Sequence, residues 1–159
     1  MATASLPCKG RLPPWYTFLM SFIRKHSLYI AWFVALVAMC GSLFFSDVLG
    51  YPPCVLCWYQ RIALYPMVLI LGVAILKKEA KVHRYVLPLA LVGGVISVFH
   101  NLLYYKILPD ALAPCTAGVS CTTKFIEWFG FVTIPFLALV AFVLITILMF
   151  INRKAYANT

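Results

Sequence analysis

An all-α fold, a four-helix transmembrane bundle running up and down with both termini cytoplasmic, is predicted by three features of this sequence. Hydrophobic residues fill 64% of its 159 positions and charged ones only 11%, four apolar runs reach membrane-spanning length, and Lys and Arg gather on alternate sides of those runs. A chain this apolar has too little polar surface to stay in water as a soluble domain. A net charge of +9 would ordinarily point to anionic partners, but the 13 Lys and Arg are scattered between apolar runs. The expected surroundings are a lipid bilayer, with no nucleic acid partner.

Crossing a hydrocarbon core of about 30 Å takes about 20 helical residues. The runs 28–45, 58–76, 85–105 and 128–151 meet that length. The first, Leu28 to Phe45, is the shortest and follows Arg24, Lys25 and His26, as the core of a secretory signal would. No clean small-x-small cleavage site follows it, and Met39 occupies the small position of a lipoprotein-like box at Val37-Ala38-Met39-Cys40. An uncleaved helix is therefore expected. Trp58 to Leu76, Tyr85 to Tyr105 and Trp128 to Ile151 are expected to be helical for the same reason, since in lipid each run must satisfy its backbone internally. Pro66, Pro88 and Pro135 fall inside these runs and imply kinks at most.

Charge orients the bundle. Lys9, Arg11, Arg24 and Lys25 precede the first run, Lys77, Lys78, Lys81 and Arg84 join the second to the third, and Arg153 and Lys154 follow the fourth. The opposite side keeps only Lys106, Lys124 and Arg61, so both termini and the middle loop are expected in the cytoplasm. No repeat or linker divides the chain, which reads as a single membrane domain over 1–159 with outer loops at 46–57 and 106–127.

That orientation puts four of the six cysteines, Cys54, Cys57, Cys115 and Cys121, on the outer, oxidising side. Cys8 reads as a tail thiol and Cys40 as a small buried apolar residue within the first run. Cys54-Val55-Leu56-Cys57 opens the second run, where the free N–H groups and dipole of a first helical turn stabilise a thiolate, the attacking species in disulfide exchange. Pro52 and Pro53 help set that helix start. Cys115 and Cys121 flank a loop with Gly118 at its centre, within reach of a soluble partner. Two other readings stay open, a pair of structural staples and a zinc site made by both cysteine pairs. Against the first, short rings remove little chain entropy; against the second, an oxidising face disfavours the thiolates zinc needs.

Arg61 stands four residues after Cys57, on the same helix face and about 4.5 Å inside the outer end. A guanidinium there suits a thiolate or an anionic reduced cofactor, although an arginine at this depth also snorkels. His100, about 7.5 Å deep in the third run, reaches a similar level and equally fits a bond between helices. Gln60 fits either a carbonyl acceptor or water. Outward thiols beside intramembrane cations point to electron transfer into the bilayer. A lipid-soluble quinone accepts the two electrons a dithiol supplies and needs donors at its oxygens as they gain charge. Trp58, Tyr59 and Tyr104 lie at the level of its ring, where an interfacial aromatic belt is expected in any case.

Cys54-Val55-Leu56-Cys57-Trp58-Tyr59-Gln60-Arg61, Pro114-Cys115 to Cys121, Glu127-Trp128-Phe129-Gly130 and the four-run layout together resemble the bacterial disulfide bond formation protein B (DsbB) family, closest to its shorter BdbC-like branch. The resemblance implies a multi-pass protein of the bacterial cytoplasmic membrane with its active cysteines outside. It implies a thiol:quinone oxidoreductase that reoxidises a thioredoxin-like oxidase of DsbA or BdbD type. Electrons would pass to Cys115–Cys121, then to Cys54–Cys57, then to ubiquinone or menaquinone. By the same resemblance Cys57 would engage the quinone, Cys54 would exchange with the loop pair, and Arg61, with His100 a looser match, would face the quinone. The loop cysteines are only six residues apart, closer than in longer members. Competing expectations are a non-catalytic redox sensor or assembly partner and an enzyme like vitamin K epoxide reductase. A reductant working in the reverse direction is disfavoured, since Cys8 is the one thiol expected on the inner side.

Overall fold

The computed structural model describes residues 14–79, 81–109 and 133–157, and all regular structure among them is helical. Helix α1 spans Pro14–Leu43, α2 Val55–Lys77, α3 His83–Tyr104 and α4 Ile134–Ala157. Four helical stretches are long and apolar enough to cross a membrane: Lys25–Val48, which runs past the end of α1, and Val55–Lys77, His83–Tyr104 and Ile134–Lys154.

The first apolar run does not stop at Phe45. After Leu43 the backbone widens into a π-helical turn, Phe44–Val48, closed by the Leu49 N–H on the Phe44 carbonyl at 3.1 Å. Gly50, at φ 69°, then turns the chain out of the helix through a conformation that costs glycine nothing. At the far end of α2, Lys78 adopts the left-handed conformation, and the N–H groups of Lys78 and Glu79 close on Ile75 and Ala74 carbonyls. A short link follows, so α3 runs back beside α2.

Pro66 and Pro88 sit inside α2 and α3, both of which continue through them. Pro135 does not lie mid-helix. Thr133 caps α4, its hydroxyl accepting the Phe136 N–H at 3.4 Å, so Pro135 falls in the first turn where a missing N–H costs no helical bond. Residues 128–132, expected to open the fourth run, lie outside the described residues.

Packing closes the helices into a ring: α1 on α2, α2 on α3, α3 on α4 and α4 on α1. The interior is sealed by Ala31 and Ala35 of α1, Met67 and Leu71 of α2, Val86 and Ala90 of α3, and Phe142, Ile145 and Met149 of α4. Outward faces carry exposed Leu69, Leu76, Val92, Val95 and Ile147, as a surface turned toward lipid should. The alanines, with Gly93, let helices approach closely, which replaces the hydrophobic drive missing between helices in lipid. A methyl group on Gly93 would overlap the Phe142 ring. Gly93→Ala should therefore cost about 1–3 kcal/mol as α3 and α4 are forced apart. A thermal melt in detergent reads this as a lowered midpoint; an unchanged midpoint would show that the contact is loose.

Candidate active site

The site begins with the helix cap. Cys54 has an extended backbone (φ −73°, ψ 170°), and its Sγ accepts the Cys57 N–H at 3.4 Å, making Cys54 the N-cap of α2. Pro52 and Pro53 precede the cap and hold the chain extended into it, a slightly different part from that of a first-turn proline. One turn on, the Cys57 sulfur lies 3.0 Å from that of Cys54, both as free thiols, with Cys54 buried and Cys57 half-buried.

Helix α3 supplies the next group. His100, fully buried, brings Nε2 to 3.7 Å from Cys54 Sγ. On its other side Gln60 donates through Nε2 to Ser97 Oγ at 3.1 Å and to His100 Nδ1 at 3.4 Å. An amide N–H can only donate, so Nδ1 accepts and the ring proton resides on Nε2, facing Cys54. Cys54 Sγ is thus surrounded by donors: the Cys57 thiol, the Cys57 N–H and the His100 ring.

This convergence pulls the Cys54 thiol well below its ordinary pKa, chiefly through the Cys57 side chain and then through His100, against the opposing effect of burial. A lowered pKa keeps the Cys54 thiolate populated as pH falls. At pH 6 an ordinary thiol of pKa about 8.5 is less than about 1% ionised. Cys54 should keep most of its pH 8 alkylation rate at pH 6, followed with iodoacetamide and mass spectrometry. Loss of more than nine-tenths of that rate would show that the cap does not hold a thiolate.

Arg61 does not run out to the surface. It is half-buried on α2, Nη2 donates to the Ser42 carbonyl of α1 at 3.0 Å, and Cζ lies 5.5 Å from the centre of the Trp58 ring. Cys54, Cys57, Gln60, Arg61 and His100 all border one cavity of about 420 Å³. Its remaining wall is mostly apolar. Phe33 and Val37 of α1 and Leu137, Val140 and Leu144 of α4 line it while also being exposed on the bundle's flank, so the cavity reaches the lipid-facing surface.

The structure therefore brings together Cys54, Cys57, Arg61 and His100. Cys115 and Cys121 lie outside the described residues, as does Cys8. Cys40 is not buried as expected: it is exposed on α1, on a helix face turned away from the packed interior. Sequence reasoning missed Ser42, Ser97 and Asn101. The Asn101 amide donates to the Ser97 carbonyl at 2.8 Å and to the Pro135 carbonyl at 2.9 Å, tying α3 beside His100 to the start of α4. A signal was available: Ser97, His100, Asn101 and Tyr104 recur at steps of three and four in an otherwise apolar helix, and all four are buried.

A family profile described as disulfide bond formation protein DsbB matches residues 24–152. The chain belongs to the DsbB family. It is similar to disulfide bond formation protein C of Bacillus subtilis, 52% identical over 77% of this chain and 88% of that one. It is 44% identical to probable disulfide formation protein C 1 of Bacillus anthracis over 82% of this chain and 94% of the relative. A probable disulfide formation protein of Metapseudomonas resinovorans is 42% identical over 80% and 89%. No solved structure matches the chain. Family and fold together make this DsbB-family chain a multi-pass membrane protein and a disulfide-forming oxidoreductase.

Proposed function

We propose that this DsbB-family chain reoxidises an extracytoplasmic thioredoxin-like oxidase of DsbA or BdbD type and delivers the electrons to a membrane quinone. The observation that carries the reading is the thiol pair at the polar end of an apolar cavity that reaches the lipid-facing surface. A quinone fits such a lining, since its ring and tail are apolar while its oxygens need polar donors at one end, here Arg61. A cavity of about 420 Å³ lies within the usual range for small-molecule sites, about 300–1,000 Å³. A sensor that merely reports redox state has no use for these groups.

In this reading the ten cations of the termini and middle loop stay in the cytoplasm and the cysteines face outward. The partner's dithiol exchanges with Cys115–Cys121, and that pair then reduces Cys54–Cys57. Each exchange forms one disulfide and breaks another, so no electron is lost until Cys54–Cys57 must close again. Closure releases two electrons and two protons, which ubiquinone or menaquinone accepts in becoming the quinol. Cys54 is the sulfur that the loop pair attacks and, in the closure, the attacking one, kept as a thiolate by the cap and by the proton that His100 holds at Nε2. Cys57, deeper along α2 and beside the cavity, is the sulfur that faces the acceptor. Arg61 is anchored to Ser42 so that its charge stays at the cavity, where negative charge develops on the acceptor oxygen.

The test is stoichiometry. Full-length protein in nanodiscs, given reduced partner and quinone, should form one quinol per partner disulfide. Partner oxidation that proceeds equally fast without quinone would sink the quinone assignment.

A further inference from the structure

We infer that the reduced site is also a metal-binding site, in which Cys54, Cys57 and His100 hold one thiophilic cation of the Zn²⁺ type. The two sulfurs and a ring nitrogen lie within 4.8 Å of one another, on two helices whose packing already fixes them. Tetrahedral zinc has Zn–S at about 2.3 Å and Zn–N at about 2.0 Å, which sets the sulfurs about 3.8 Å apart and each about 3.5 Å from the nitrogen. Cys54 Sγ to His100 Nε2 is 3.7 Å, and the sulfurs are 3.0 Å apart. The sulfurs need to open by less than 1 Å, and Cys57 Sγ, which lies within 4.8 Å of the ring nitrogen, needs to approach it to about 3.5 Å, adjustments of the size that side-chain rotation supplies. The adjoining cavity leaves the fourth position to water.

Metal binding moves protons and no electrons. Each sulfur that enters as a thiol releases its proton to solvent, and the ring proton passes from Nε2 to Nδ1. Gln60 then turns its amide so that the oxygen accepts from Nδ1–H, the kind of outer contact that orients ligating histidines. This donor set differs from one made by both cysteine pairs, because the third ligand is an imidazole that cannot be lost by oxidation. A metal held here occupies the lone pairs that would form the Cys54–Cys57 bond. It therefore protects the pair against oxidation, an effect that does not depend on a quinone.

The experiment uses the full chain in detergent, with Cys8, Cys40, Cys115 and Cys121 replaced by Ala so that only the site thiols remain. Zn²⁺ is titrated against a chromophoric chelator, and Co²⁺ serves as the spectroscopic probe. The reduced protein should take up one equivalent of Zn²⁺, and Co²⁺ should give thiolate charge-transfer bands with tetrahedral ligand-field absorption. His100→Ala should weaken binding at least about tenfold and alter the ligand-field bands while the thiolate bands persist. The same chain oxidised to the disulfide should bind none, a comparison that involves no mutation at the site. Zn²⁺ should also slow diamide oxidation of the pair at least tenfold. The inference is overturned if the reduced four-alanine protein takes up no metal, if the oxidised form binds as well as the reduced, if His100→Ala binds with unchanged affinity and spectrum, or if bound Zn²⁺ leaves the diamide rate unchanged.

Discussion

Replacing Cys57 with serine should reduce quinol formation to the uncatalysed rate while leaving the protein folded. The serine hydroxyl is close in size to the thiol, and the cap survives because Cys54 accepts the backbone N–H of residue 57, which the substitution does not touch. What disappears is the second sulfur 3.0 Å from Cys54, and with it any disulfide for that pair to make. The loss should thus be complete rather than graded, because no other sulfur is placed to take over among the described residues. Quinone absorbance and partner thiols are followed together, with a thermal melt to verify folding. Turnover persisting at even a tenth of the parent rate would remove Cys57 from the relay. Cys54→Ser should be equally inactive, and serine is itself a favoured N-cap, so α2 should start in the same place.

The second large effect is expected at Arg61. Arg61→Ala should lower kcat/KM for quinone roughly 100-fold, the order seen when one preorganised donor to a developing oxyanion is lost. It should leave the first, quinone-independent exchange with reduced partner unchanged, since no part of the thiol pair is altered. Arg61→Lys should recover only part of the loss. A compact ammonium keeps the charge but lacks the planar fork with which Nη2 holds the Ser42 carbonyl at 3.0 Å while other N–H groups remain for a ligand. Stopped-flow measurement of the partner exchange, beside steady-state quinone kinetics, separates the two steps. Unchanged quinone kinetics in Arg61→Ala would return Arg61 to the part of an interfacial side chain stacked near Trp58.

Much of this architecture was readable along the chain. Apolar runs of spanning length marked four helices, although the first continues through a π turn to Val48 and the fourth begins at Ile134, after a threonine cap. Composition marks where lipid begins and ends; caps and turns decide where helices do. Cys54 and Cys57 were legible as a helix-start pair, yet their spacing could not say which sulfur the cap serves. That depended on the extended backbone at Cys54 and on His100, which comes from 46 residues away. Gln60 was ambiguous between water and a protein acceptor, and burial against Ser97 and His100 decides it.

The dividing line has a physical basis. Hydropathy, helix-start chemistry and the three- and four-residue steps that align side chains all act within a single helix, so neighbouring residues suffice to read the helices, the Cys54–Cys57 pair and the position of Arg61 beneath it. Between helices in lipid the apolar faces are nearly equivalent, and close packing with a few polar contacts chooses among them. Only the assembled bundle could turn His100 toward Cys54 and Arg61 toward Ser42, and so enclose a cavity with a reactive end.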